Sequence, residues 1–192
     1  MRWIAAAVLA PLLGAQQPER FADTPTFGVS VVLSAGLTGQ IYAIKESTEE
    51  LPNFKKLRPV GTIYTYSLAV EPRDFTEGFP GIPGRLEWFA IDYTGRFWIN
   101  TPGEHTFILM SDDGSKLYID DKRIIDNDGA HAPLALTGKV KLKPGAHSIR
   151  VSYFQGPRFH VALMLEVIPP DGERRIFSTQ EFKPPSDLAD VP

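Results

Sequence analysis

A chain of 192 residues is long enough for one domain that buries roughly 70% of its unfolded surface in a single core. Its net charge of −3 gives no basic footprint for nucleic acid, and no apolar run is long enough to span a bilayer. Cysteine is absent, which excludes a disulfide framework and a thiol nucleophile, while 17 prolines and 16 glycines between short apolar runs point to an all-β chain full of turns.

Met1-Arg2, an apolar run over residues 3–13 and Leu13-Gly14-Ala15 make a short secretory signal peptide over residues 1–15, so the expected location is secreted or periplasmic. Residues 16–35 hold a polar leader and a first strand at 27–33, with Val29, Val31 and Leu33 on one parity. Gly36-Leu37-Thr38-Gly39 reads as a turn into a strand at 40–44. Residues 47–56 are the one candidate for helix, limited by Pro52 to a short helical turn. A strand is expected at 62–70 with Tyr64, Tyr66 and Leu68 on one face, followed by an irregular loop at 71–84 containing GFPGIPG.

The second half alternates more regularly. Strands are expected at 85–93 and 95–100, then a type II turn at Pro102-Gly103. Trp98 shares its parity with Arg96 and Asn100, so it faces outward, either as a half-buried structural residue or as a stacking platform for a sugar ring. Residues 106–110 and 116–120 alternate on either side of Ser111-Asp112-Asp113-Gly114. That acidic turn has two readings: a turn that satisfies its own backbone, or a pair of oxygen donors for a hard cation such as calcium. Asp120-Asp121-Lys122 is a tight hairpin turn. Asp126-Asn127-Asp128-Gly129 lacks the spacing of a known calcium loop and reads as an Asx-type turn, and His131 just after it falls at the same end as Asp112. Lys139, Lys141 and Lys143 alternate with Val140 and Leu142 as a guarded edge. Residues 148–154 and 159–167 are the last long strands, with Phe159, Val161, Leu163 and Leu165 inward and Gln155-Gly156-Pro157-Arg158 between them, and residues 183–192 form a C-terminal tail.

Catalytic motifs are missing. There is no G-x-S-x-G elbow and no phosphate-cradling glycine loop, and His105, His131, His147 and His160 make no zinc pattern. The expectation is a non-catalytic module.

The order GRFWINTPGEHTFILMSDDGSKLYIDDKRIIDNDG, KVKLKPGAHSIRVSYFQG, FHVALMLEV and PPDG resembles the PA14 domain family, which is named for anthrax protective antigen and includes yeast flocculins and bacterial adhesins. The resemblance runs over residues 36–182 and implies an antiparallel β-sandwich. In sugar-binding members the two adjacent aspartates are joined by a cis peptide and bind calcium, which would make Asp112 and Asp113 the metal ligands. Gln155 stands in the loop where yeast members place an asparagine, with the carbonyls of Pro157 or Phe159 as further ligands. One departure is Asp121, at a hairpin position where the family usually has glycine; aspartate tolerates the positive φ required there. The implied function is lectin-like binding of a glycan or cell-surface polysaccharide, with Asp112, Asp113, Asp128, His131, Gln155, Arg158 and Trp98 as candidate sugar-site residues. The alternative is a structural or assembly domain of the cell envelope, acting through self-association or a protein partner.

Overall fold

The structure, a computed structural model, describes residues 36–84 and 87–185. The expected signal peptide, the leader with its strand at 27–33, residues 85–86 and residues 186–192 of the tail lie outside the described residues.

Alternating apolar and polar residues become strands because successive side chains on an extended backbone point to opposite faces. In chain order these are β1 (Leu37–Ala43), β2 (Gly61–Thr65), β3 (Ala69–Asp74), β4 (Phe89–Ile99), β5 (Gly103–Asp112), β6 (Ser115–Ile119), β7 (Lys122–Asn127), β8 (Leu134–Leu142), β9 (Gly145–Gln155), β10 (His160–Ile168) and β11 (Arg175–Ile176). They form two antiparallel sheets, one in the order β2-β1-β4-β9-β6-β7 and the other β11-β10-β5-β8, with β3 also paired to β10. This is the expected β-sandwich.

The core lies between the sheets. Phe89, Ile91, Tyr93, Phe97 and Ile99 of β4 and Ile149, Val151 and Tyr153 of β9 face Phe107 and Leu109 of β5 and Val161, Leu163, Leu165 and Val167 of β10. Each fully buried Val, Leu, Ile or Phe contributes roughly 1.5–3 kcal/mol relative to an exposed one, so these four strands hold the two layers together. The β6–β7 hairpin turns through Asp120 and Asp121 at φ 48° and 61°, the positive values expected of a two-residue turn. β8 is an edge strand with Lys139 and Lys141 exposed, which discourages pairing with another chain.

Several local expectations change. Residues 36–39 are not a turn: β1 already runs from Leu37, and Gly39 sits inside it because Tyr93 of β4 lies against its Cα. Gly95 likewise does not divide two strands. β4 runs through it without a break, since a Cβ there would meet Leu37 Cδ2 at 2.7 Å. The strand expected at 62–70 splits between the two sheets. Thr65 Oγ1 donates to Ser67 O at 2.7 Å, a local bond that redirects the chain, and so Tyr64 and Tyr66 are exposed while Leu68 is buried. The loop expected at 71–84 is more ordered, with β3 reaching Asp74 and a 3-10 turn at Phe75–Glu77 capped by Asp74. That makes a second helical turn beside the one at Phe54–Lys56. At Gly103 φ is 147°, far from the value near +80° of a type II turn, because the chain crosses from one sheet to the other there. Phe159 is 76% exposed, and φ 126° at that residue breaks the alternation before β10 begins.

A Cβ at Gly39 would meet Tyr93 Cε1 at 2.7 Å and Ile91 Cγ2 at 2.9 Å, whereas at Gly61 it would meet only Ile41 Cδ1 at 3.4 Å. Gly39→Ala should therefore cost about 1–3 kcal/mol in urea unfolding, and Gly61→Ala less than about 0.5 kcal/mol. Equal costs at the two positions would contradict this account of β1.

Candidate functional site

The acidic turn is not a hairpin. β5 belongs to one sheet and β6 to the other, so Asp112, Asp113 and Gly114 form the corner by which the chain changes layers. The peptide between Asp112 and Asp113 is cis. Only glycine fits at 114, where a Cβ would lie 2.5 Å from Phe154 Cε1 and 2.8 Å from Gly129 N.

Both aspartates are 5% exposed, and among the described residues neither takes part in an ion pair. Asp113 is held by main-chain donors: Gly156 N–H donates to Oδ2 at 2.7 Å and His131 N–H to Oδ1 at 3.1 Å. Burial raises the Asp113 carboxyl above its ordinary range despite these bonds. Asp112 is pushed up to about 6, by burial first and by the neighbouring charge of Asp113 second. Two carboxylates in one poorly solvated place oppose each other's ionisation.

Tyr153 supports the corner from below. Its hydroxyl lies 2.7 Å from Asp112 O and 2.6 Å from Gln155 Oε1, and its single proton serves one of them at a time. Gln155, at the end of β9, is fully buried, and its Nε2 donates to His160 O at 3.0 Å and faces Pro157 O at 3.5 Å. The side-chain amide and two carbonyls thus converge beside the two carboxylates.

A cavity of about 450 Å³ opens above, lined by Asp112, Asp113, His131, Arg158, Phe159 and His160 among others. The His131 ring stands between the carbonyls of Asn127, at 3.0 Å from Nε2, and Ala132, at 2.9 Å from Nδ1. The exposed Arg158 side chain has Nε 3.6 Å from Glu87 Oε2 and its guanidinium over the Phe75 ring at 6.0 Å.

The structure therefore brings together Asp112, Asp113, His131, Gln155 and Arg158, but leaves two candidates aside. Asp128 lies near the corner but is bound on both oxygens, Oδ1 by Leu51 N–H at 2.8 Å and Oδ2 by Lys116 Nζ at 2.6 Å, so it ties the 127–133 loop down instead of facing the cavity. Trp98 is half-buried near the opposite end of β4, nine residues from Phe89, which pairs with Gln155. Nine residues of strand span roughly 30 Å. The exposed aromatic at the cavity is Phe159 instead, and Tyr153 is the supporting residue that sequence reasoning missed. Nothing in the alternation distinguished Tyr153 from an ordinary core residue.

The PA14 domain model matches residues 74–179, more than half of the chain. No curated protein matches by sequence. Among solved structures, an anti-sigma factor domain-containing protein matches with a TM-score of 0.62 at 19% identity over 80% of this chain, which spans 49% of that protein's length. A PA14 sugar-binding domain from an RTX adhesin matches with a TM-score of 0.62 at 19% identity, over 76% of this chain and 96% of its own. The Epithelial Adhesin 9 A domain from Candida glabrata, in complex with Galb1-3GlcNAc, matches with a TM-score of 0.56 at 16% identity over 79% and 89%. At these identities the likeness is one of fold.

The carboxyl of Asp112 titrates near 3.9 in an unfolded chain and at about 6 in the folded protein. Between those values the folded state holds more protons, so this group's contribution is most favourable below about pH 4 and is lost as pH rises through about 6. In EDTA, the melting temperature of the wild type relative to Asp112→Asn should therefore fall between about pH 4 and pH 7. A difference independent of pH would contradict the raised pKa.

Proposed function

The chain belongs to the PA14 domain family, and on that premise we propose that it is an exported, non-catalytic module that binds carbohydrate through a calcium ion at the Asp112–Asp113 corner. One observation carries the proposal: two adjacent carboxylates, each 5% exposed, have no cationic side chain paired with them among the described residues. Buried charges in proteins are normally paired or coordinate metals. A divalent cation would balance both.

The donor set fits a hard cation. Among the described residues no group of three or more His, Asp or Glu side chains is placed to hold a metal ion, so Asp112 and Asp113 would need neutral oxygen partners, which calcium accepts readily. The Pro157 and His160 carbonyls would supply two of these, and the Gln155 amide a third once its oxygen is turned toward them. A half-turn of that amide would let Nε2 donate to the Tyr153 hydroxyl, free the hydroxyl proton for Asp112 O and aim Oε1 toward the two carbonyls. Three convergent oxygens of that kind favour a cation between them.

When bound, calcium would offer its remaining positions to hydroxyls of a sugar ring. The chain's own residues shape the rest. Gly156 and His131 N–H groups fix the Asp113 carboxylate, Arg158 adds donors at the rim, and the exposed Phe159 ring offers an apolar surface for the C–H face of a pyranose. The sugar-binding adhesin domains among the structural neighbours support a glycan as the ligand class. The export part of the proposal rests on the pattern of residues 1–15 alone.

A glycan array probed with the full chain in millimolar calcium, in EDTA, and with Asp112→Asn tests the reading. Binding to at least one glycan should appear in calcium and fall by more than tenfold in EDTA and in the variant. Glycan binding unaffected by EDTA, or none in calcium, would overturn it.

A further inference from the structure

The outer face of the six-stranded sheet holds a pair of arginines that the acidic corner does not use. Ile91, Tyr93 and Phe97 of β4 and Ile149 and Val151 of β9 point into the core, so Thr94, Arg96 and Trp98 of β4 and Arg150 of β9 point out from the opposite face. Arg150 is held on three sides. Its Nε donates to Asp92 Oδ1 at 2.8 Å and Oδ2 at 3.1 Å, and its guanidinium carbon lies 5.3 Å from the centre of the Tyr118 ring and 5.9 Å from that of Phe54. Asp92 is itself fixed by Ser152 Oγ, which donates to Oδ1 at 2.7 Å. Both terminal nitrogens of Arg150 are left without a hydrogen bond among the described residues, on a side chain that is 42% exposed.

Arg96 stands beside it. Arg96 is opposite Ser148 and Thr94 is opposite Arg150, which makes the two arginines diagonal neighbours on one face, with Cα atoms roughly 7–8 Å apart. Arg96 is exposed and takes part in no ion pair among the described residues. Neighbouring like charges repel, and a guanidinium already clamped by a carboxylate and two rings gives up little freedom on binding. The pair is therefore prepared for an anion, and the open fork of Arg150 suits the two oxygens of a carboxylate. Trp98 comes next along β4, half-buried and opposite the exposed Ala146, with the exposed Thr94 on the other side of Arg96. An indole and a hydroxyl on a flat sheet face suit a sugar ring and its polar rim.

We propose that this face is a second binding surface, for a carboxylate-bearing polysaccharide whose carboxylates bond to Arg150 and Arg96 and whose rings pack on Trp98. It needs no calcium, and its ligand is selected by charge.

The test is isothermal titration calorimetry of the full chain in EDTA at low ionic strength, with tetragalacturonic acid, its neutral methyl ester and tetraglutamate as probes; EDTA keeps the result independent of the calcium reading. The wild type should bind the acid more than about tenfold more tightly than the ester, as expected when charge-assisted hydrogen bonds are lost. Arg96→Gln breaks no ion pair, so it should fold normally and bind the acid about tenfold more weakly. Arg150→Lys keeps a charge beside Asp92 but loses the fork, and should weaken binding by about as much. The proposal is overturned if the wild type does not bind the acid, if the ester binds as well, if either variant binds as the wild type does, or if tetraglutamate binds as tightly as the acidic sugar.

Discussion

Two carboxylates side by side at a corner largely closed to water, with no cationic side chain paired to either among the described residues, are the constraint on which the rest of this molecule turns. Removing one ion from water costs several kcal/mol even after the protein relaxes, so the surroundings must answer for both. The chain does so unequally. Asp113 receives two main-chain N–H bonds, from loops on either side, and burial raises both carboxyls, that of Asp112 to about 6. Under the proposal above, a divalent cation would balance both carboxylates.

The sandwich exists in a form that delivers these groups. Because β5 and β6 lie in different sheets, the corner sits at the end of the core, where the start of β10 and the end of β9 also arrive. Gly114 lets the Phe154 ring and Gly129 close against the turn, and Gly156 lets its own N–H reach Asp113. Tyr153 links core to site: one end of it packs on Phe79 and Phe89, the other meets Asp112 and Gln155. Phe79 also lines a cavity on the side of the sandwich, next to β2 and the start of β3.

The long strands β5, β9 and β10, and β4 as two pieces, are legible because their inward residues alternate over nine to eleven positions. Period-2 patterning says nothing about which sheet a strand joins, and that is why the acidic corner reads only as a turn between two strands and residues 62–70 as one strand. Glycines at 36, 39 and 95 look like turn formers, yet Gly39 and Gly95 serve close packing that only the partner strand reveals. The parity of Trp98 was read correctly as facing away from the core, but parity carries no information about position along a strand. Asp112 and Asp113 stand out as adjacent oxygen donors and Gln155 comes from a family resemblance, whereas Tyr153 and Phe159 require coordinates: the first looks like core, and the second leaves its alternation through one backbone angle.

Isothermal titration calorimetry of calcium into the metal-free full chain, with Asp112→Asn in parallel, tests the central claim most directly. The account predicts one site per chain, with a Kd on the order of micromolar to millimolar as in other sensor and extracellular sites, and no binding heat in the variant. Absence of heat at millimolar calcium, or equal heats in both proteins, would show that the paired carboxylates serve the fold alone.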